Sequence, residues 1–278
     1  MANPNSPLNK YKREPKLYID LPSKGEYYPP GSLESATELP VYSMTARDEI
    51  AVKTPDALFS GHSTVSIIQR CIPGIKNAWA MPMIDVEYCL AAIRLASYGA
   101  DLNLEGECPE CKESNSYTVN LQTIIDYFLT LEYSRKVTVE DLEFYIRPLT
   151  YKENSALQKQ MFNYQRQIVQ HVQNIEDENT QAEELQKIYD SLANVRVNAV
   201  VMAIEKVIID GEEETDKDTI ANFVDQNDKK FFQAVAELVG NNNEIWDIPN
   251  ADVVCPSCNH NYSTNTNLDY SNFFALGL

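Results

Sequence analysis

Two short segments constrain this chain more than any others: Cys108-Pro-Glu-Cys111, inside EGECPECKES, and Cys255-Pro-Ser-Cys258, inside VVCPSCNHNY. They hold four of the six cysteines. Two residues between thiols let both sulfurs of a turn face one ion, and proline at the second position presets φ for a tight turn. The flanks alternate as strands do. Leu102 and Leu104 precede the first turn and Tyr117 and Val119 follow it; Val253 and Val254 precede the second and Tyr262 follows it. Each segment reads strand, turn, strand: half of a zinc ribbon. Taken together, Cys108, Cys111, Cys255 and Cys258 supply the four ligands of a closed, structural Zn2+ site with no open position for water. His260, two residues past Cys258, is a substitute for one thiolate or a solvated loop histidine.

The same spacing admits other chemistry. A dithiol oxidoreductase also uses Cys-x-x-Cys, but that chemistry is helped by a first cysteine at a helix N-terminus, where the dipole lowers its pKa. Neither KESNSYTV nor NHNYSTNT begins an amphipathic helix. Four unligated thiols are the bland alternative. Cys71 and Cys89 fall on apolar helical faces and read as core. No G-x-G-x-x-G, Walker loop, G-x-S-x-G or H-E-x-x-H occurs, and His62, His171 and His260 lie far apart in sequence. The run DGEEETDKD from Asp210 lacks the alternating ligands of an EF-hand loop and reads as a solvated acidic turn. The expectation is a protein without catalytic residues.

Charge narrows the partners. With 41 acidic against 23 basic residues, the net charge is −18. Nucleic-acid binding draws on Lys and Arg displacing counterions from phosphates, so a zinc-ribbon adaptor for nucleic acid would depend on the local basic stretch Lys10 to Lys16. No apolar run reaches the roughly 20 residues that span a bilayer. The start MANPNSPLNKYKREPK has no apolar secretory segment. A reducing cytoplasm is therefore expected during folding, where paired cysteines serve as metal ligands or catalytic thiols more often than as disulfides. The 16 tyrosines, several in polar surroundings near the start, are either ordinary strand and turn residues or an amphipathic contact surface.

Along the chain, residues 1–16 read as a flexible basic arm. An N-terminal α+β module follows over 17–100. LYIDL and LPVYSM are its strands, Thr45 caps a helix at TARD, and PMIDVEYCLAAIRLAS, Pro82 to Ser97, is a helix closed by Gly99. The zinc-ribbon-like hairpins and tail occupy 101–125 and 250–278. Between them, 130–245 reads as an inserted, mainly helical lobe. It opens with a hairpin in which Val137 and Val139 face Phe144 and Ile146. Two heptad-like stripes follow: Leu157, Met161, Tyr164, Ile168, Val172 and Ile175, then Leu185, Ile188, Leu192, Val195, Ala199 and Met202. They suggest an antiparallel helical hairpin. DKKFFQAVAELVG makes a last helix, capped by Asn227 or Asp228 and stopped at Gly240. The fold class is α+β.

Several stretches in fixed order carry a family resemblance: LYIDLPSKGEYYPPGS, LPVYSMTARDEIAVKTPDALFSG, IIQRCIPGIKN, and IDVEYCLAAIRLASYG followed by CPEC. Over residues 17 to 125 this order resembles the T4-type bacteriophage baseplate hub family. The resemblance implies a phage tail protein, without catalytic residues, that acts in building the baseplate hub. Its partners would be other baseplate and tail hub proteins, and its location the virion tail baseplate, the host cytoplasm during assembly, or both.

Overall fold

The computed structural model describes residues 6–52, 61–172, 175, 177–248 and 250–264. The chain forms two compact units, one from residues 1–130 and 248–278 and the other from Leu131–Asp247. Their elements are α+β in both cases.

In the first unit β1 (Pro15–Ile19) pairs antiparallel with β2 (Leu39–Tyr42), as LYIDL and LPVYSM anticipate. The described residues before β1 make contacts with the rest of this unit. Pro7–Tyr11 form a 3-10 turn, and Arg13 donates to the carbonyls of Ser43 and Arg70, both at 2.7 Å, while its guanidinium lies over the Tyr42 ring. The guanidinium thus satisfies two carbonyls and a ring face. Helix α1 (Ala46–Val52) starts where Thr45 accepts the Asp48 N–H on its carbonyl and donates its hydroxyl to the Asp48 carboxylate at 2.6 Å. Buried Asp48 also pairs with Arg70, at 2.9 Å, on α2 (His62–Cys71). Residues 53–60, with Pro55, lie outside the described residues.

Helix α3 (Met83–Tyr98) is the axis of this unit, and it ends at Gly99 as the sequence indicates. Its central run Val86 to Ile93 is apolar on nearly every face, the pattern of a helix buried on all sides. Cys89, Leu90, Ala91, Ala92 and Ile93 are fully buried there, and Cys71 packs in the same core. Burial holds both thiols protonated, Cys71 up to about 11 and Cys89 well above its ordinary value. These are core cysteines.

Beyond α3 come the hairpin β3 (Asp101–Glu107) and β4 (Ser114–Asn120), then α4 (Leu121–Phe128). Leu121, Ile124, Ile125 and Phe128 are all buried, at i, i+3, i+4 and i+7, and the Asn120 side chain caps the helix by accepting from Gln122 N–H. The last strands among the described residues also belong to this unit.

The second unit is built on a four-stranded antiparallel sheet in the order β5 (Lys136–Val139), β6 (Leu142–Ile146), β7 (Ile204–Ile209), β8 (Glu212–Glu214). Val137 faces Phe144 as expected, but Val139 faces Leu142, since a turn of two residues fixes that register. Between β6 and β7 the chain makes α5 (Tyr151–Gln170) and α6 (Glu178–Ala203), the helical hairpin indicated by the two stripes. Helix α6 passes into β7 without a loop. What reads as an acidic turn is the β7–β8 hairpin: Asp210 and Gly211 both have positive φ, 51° and 84°, the backbone of a two-residue primed turn.

Helices α7 (Lys217–Gln226) and α8 (Lys229–Ile245) follow. The core of this unit gathers Phe144, Ile146, Val207, Ile220, Val224, Phe231 and Val235. The rings of Phe144, Phe223 and Phe231 touch within it, with centroids 5.2–6.4 Å apart. Asp228 is the cap of α8, accepting from Lys230 N–H. The helix does not stop at Gly240 but runs to Ile245. Buried Asn242, past that glycine, uses its amide to pair both backbone groups of Ser134, which anchors the additional turn. Among the described residues no helix is long and apolar enough to cross a membrane.

Candidate metal centre

The two knuckles have the same backbone. In the first, Cys108 N–H donates to Glu113 O at 3.0 Å and Lys112 N–H donates to Cys108 O at 2.9 Å. In the second, Cys255 N–H donates to His260 O at 2.9 Å and Asn259 N–H donates to Cys255 O at 2.9 Å. The residue after each second cysteine takes a left-handed conformation, Lys112 at φ 62° and Asn259 at φ 57°. Each knuckle is the tip of a hairpin: β3 and β4 carry the first, β9 (Ala251–Val254) and β10 (Asn261–Thr264) the second. The strand–turn–strand reading of both segments holds.

The hairpins bring all four thiols together. Cys108 Sγ lies 3.7 Å from Cys258 Sγ, Cys111 Sγ lies 3.6 Å from Cys255 Sγ, and all four sulfurs are within 4.8 Å of one another. A disulfide would need about 2.05 Å. A tetrahedron of sulfurs about 2.3 Å from a central zinc has edges of about 3.8 Å, so the two short separations fit that ion. In each knuckle the first cysteine is buried and the second exposed, which makes the cluster a half-covered one. His260 is not among the clustered residues. Its carbonyl is taken by Cys255 N–H and its ring stacks on Tyr262, centroids 6.2 Å apart.

The thiols do not titrate alike. Burial opposes ionisation of Cys255, but N–H donors of Cys258 and Ser257, with the thiols of Cys258 and Cys111, bring it down to about 6. At Cys111 the Glu113 N–H favours the thiolate, yet desolvation and hydrogen bonds shared with Cys258, Cys255 and Cys108 outweigh it and push the thiol up to about 12. Cys258 is also pushed up. A cation joining these sulfurs would favour their thiolate forms.

Four residues support the cluster, and of these Gly106 and Asn115 carried no signal in the sequence. Gly106 sits where the hairpins approach: a Cβ built there would stand 2.9 Å from Thr264 Oγ1. The Tyr117 and Tyr262 hydroxyls hydrogen-bond, with the rings edge to face at 5.9 Å. Asn115, buried on β4, donates to Glu113 O at 3.0 Å and to Cys255 Sγ at 3.5 Å. The other sequence candidates serve elsewhere. His62 packs edge-on against Trp79, centroids 5.1 Å apart. In the acidic run, Asp216 caps α7 by accepting from Thr219 N–H at 2.8 Å.

The family model described as T4 bacteriophage base plate protein covers residues 40–275, a span that includes both knuckles and the whole second unit. No curated protein and no solved structure matches the chain.

Proposed function

The chain belongs to the T4 bacteriophage base plate protein family, and from that premise we propose that it is a non-enzymatic structural or assembly component of the baseplate hub of a contractile phage tail. One Zn2+ held by Cys108, Cys111, Cys255 and Cys258 closes its first unit. The observation that carries the zinc reading is the gathering of four thiols, from two sequence-distant hairpins, at separations suited to a tetrahedron. The ion would act structurally: it binds the folded arrangement and not the open chain, so its binding free energy adds to folding. It ties the hairpin at 251–264 back to residues 101–120 across the sequence that forms the second unit.

The absence of a helix after either knuckle counts against dithiol redox catalysis, because β4 and β10 follow instead. The −18 charge counts against nucleic acid as partner. Its partners are then other baseplate and hub proteins, met in the host cytoplasm during assembly, in the virion tail baseplate, or both.

Elemental analysis of protein purified under reducing conditions tests the metal. Stoichiometric zinc is expected, together with a lower melting temperature for Cys108→Ser and Cys255→Ser. Metal-free protein whose stability ignores both substitutions would refute the zinc reading. Presence in purified tails or assembly intermediates tests the hub assignment, and absence from both refutes it.

A further inference from the structure

The two knuckles share a backbone but not their surroundings, and the difference lies at Asn115. Asn115 is among the few polar side chains in the described part of the chain that are buried. A buried amide needs partners for its N–H groups. One partner of Asn115 is local, the Glu113 carbonyl that also accepts from Cys108 N–H. The other lies across the cluster, the Cys255 sulfur at 3.5 Å. The side chain is therefore fixed to the first knuckle while it donates to a ligand of the second. Its neighbour across the β3–β4 ladder is Gly106, whose lack of a side chain lets β10 come close.

We propose, resting on the zinc reading above, that Asn115 is a positioning residue for the metal centre. Its N–H bond to the Cys255 sulfur, made from a side chain anchored on the first knuckle, holds that sulfur in ligand geometry. A sulfur that accepts an N–H hydrogen bond keeps part of its charge on that bond and is oriented by it; partners of this kind are worth roughly 10- to 100-fold in metal affinity. The effect requires a donor. Leucine at this position fills similar space with none, and aspartate of the same shape sets a negative oxygen against a thiolate.

The test is zinc affinity of the full chain, measured by competition with a chromogenic chelator for wild type, Asn115→Leu and Asn115→Asp. The expected result is a loss of about 10- to 100-fold for Asn115→Leu and a larger loss for Asn115→Asp. The cobalt-loaded protein should also show a shifted sulfur-to-metal charge-transfer band in Asn115→Leu, which a packing role alone would not produce. Equal affinities and an unmoved band overturn the proposal while leaving the zinc reading intact; wild type that binds no metal overturns the zinc reading itself. If Asn115→Leu fails to fold, cadmium-113-loaded wild type decides the matter. A scalar coupling between the metal and the Asn115 side-chain amide proton supports the proposal, and its absence refutes it.

Discussion

Arg147 grips Glu153 through two parallel hydrogen bonds, Nη1 to Oε2 at 2.8 Å and Nη2 to Oε1 at 2.7 Å. The pair fixes the corner at which β6 gives way to α5. Glu153 also closes a capping box with Thr150, and Arg147 N–H donates to Ala203 O where α6 ends. Partial burial alone would raise the Glu153 carboxyl, but Arg147 and the Thr150 donors prevail and hold it at about 2. A depressed carboxylate contributes stability that is present above its unfolded value near 4.5 and is lost as pH falls toward 2. Glu153→Gln should lose about 1–3 kcal/mol at pH 7 and flatten the acid limb of the stability curve. Urea denaturation between pH 2 and 7 checks both.

Asp85 behaves in the opposite sense. It lies fully buried in the first turn of α3 and accepts from Ser23 N–H at 2.9 Å, from Ser23 Oγ at 2.5 Å and from Tyr28 Oη at 2.9 Å, which latches the segment between β1 and β2 onto the helix. Burial outweighs these three donors and lifts the carboxyl to about 6. A raised carboxyl favours folding below its unfolded value near 3.8, and that contribution is lost as pH rises through about 6. Asparagine can keep the Ser23 N–H bond on its oxygen and donate from its nitrogen to the two hydroxyl oxygens. Asp85→Asn should therefore fold and lose the pH dependence between about 4 and 6, whereas Asp85→Ala, which strands the Ser23 and Tyr28 donors, should cost about 2–4 kcal/mol. Melting curves of both variants at pH 5 and pH 7 separate the two effects.

The cysteine cluster and the latch differ in how far the sequence reveals them. The knuckles repeat a short local pattern, so strand, turn and ligand spacing are all written within ten residues of each other, and the α5–α6 hairpin follows from stripes of period 3.6. The sheet of the second unit is less visible, because β7 continues the apolar stripe of α6 and acquires its identity by pairing with β6, Phe144 against Val207. Asp210-Gly211 is the local signal that marks it, being a turn pair between Ile209 and the glutamates. Helix α4 carried its own signal too: its four apolar residues have helical spacing behind an Asn cap, but they follow a strand so closely that they read as its tail. Asp85 reads as an ordinary first-turn acid. Its partners lie more than 50 positions away, and nothing local records that they meet it.

Gly106 predicts how tightly the two hairpins must meet. Its missing Cβ would stand 2.9 Å from Thr264 Oγ1 and 3.6 Å from Tyr117 Cε2. Valine suits an isolated strand better than glycine, so on the β3–β4 hairpin alone Gly106→Val would be tolerated. Against β10 it forces the hairpins apart, and we expect a loss of about 1–3 kcal/mol with weaker zinc retention. Thr264→Ala should restore part of that loss, since it removes the atom that the new methyl groups meet. Chelator-induced zinc release from the single and double variants measures it. Additive effects would refute a contact across the hairpins.

Asn242 is the reciprocal case, a polar side chain placed inside a helix to serve backbone outside it. Its Oδ1 accepts from Ser134 N–H at 3.0 Å and its Nδ2 donates to Ser134 O at 2.8 Å, so one amide pairs both groups of a residue just before β5. Ser134 lies at the surface, where water can replace part of what is lost, so Asn242→Ala should cost about 1–3 kcal/mol rather than the full penalty of two buried groups. Asn242→Asp is the sharper test. Its carboxylate accepts from Ser134 N–H but turns a negative oxygen toward the Ser134 carbonyl. Only the protonated form can donate there. The N242D variant should therefore be less stable than wild type at pH 7 and regain stability relative to it on acidification toward pH 4. That is the sign required when a buried carboxyl is raised above its unfolded value. Hydrogen exchange at the Ser134 amide, followed beside the urea midpoint at both pH values, reads the same bond locally. A pH-independent deficit in N242D would show that the pairing with Ser134 contributes nothing to stability.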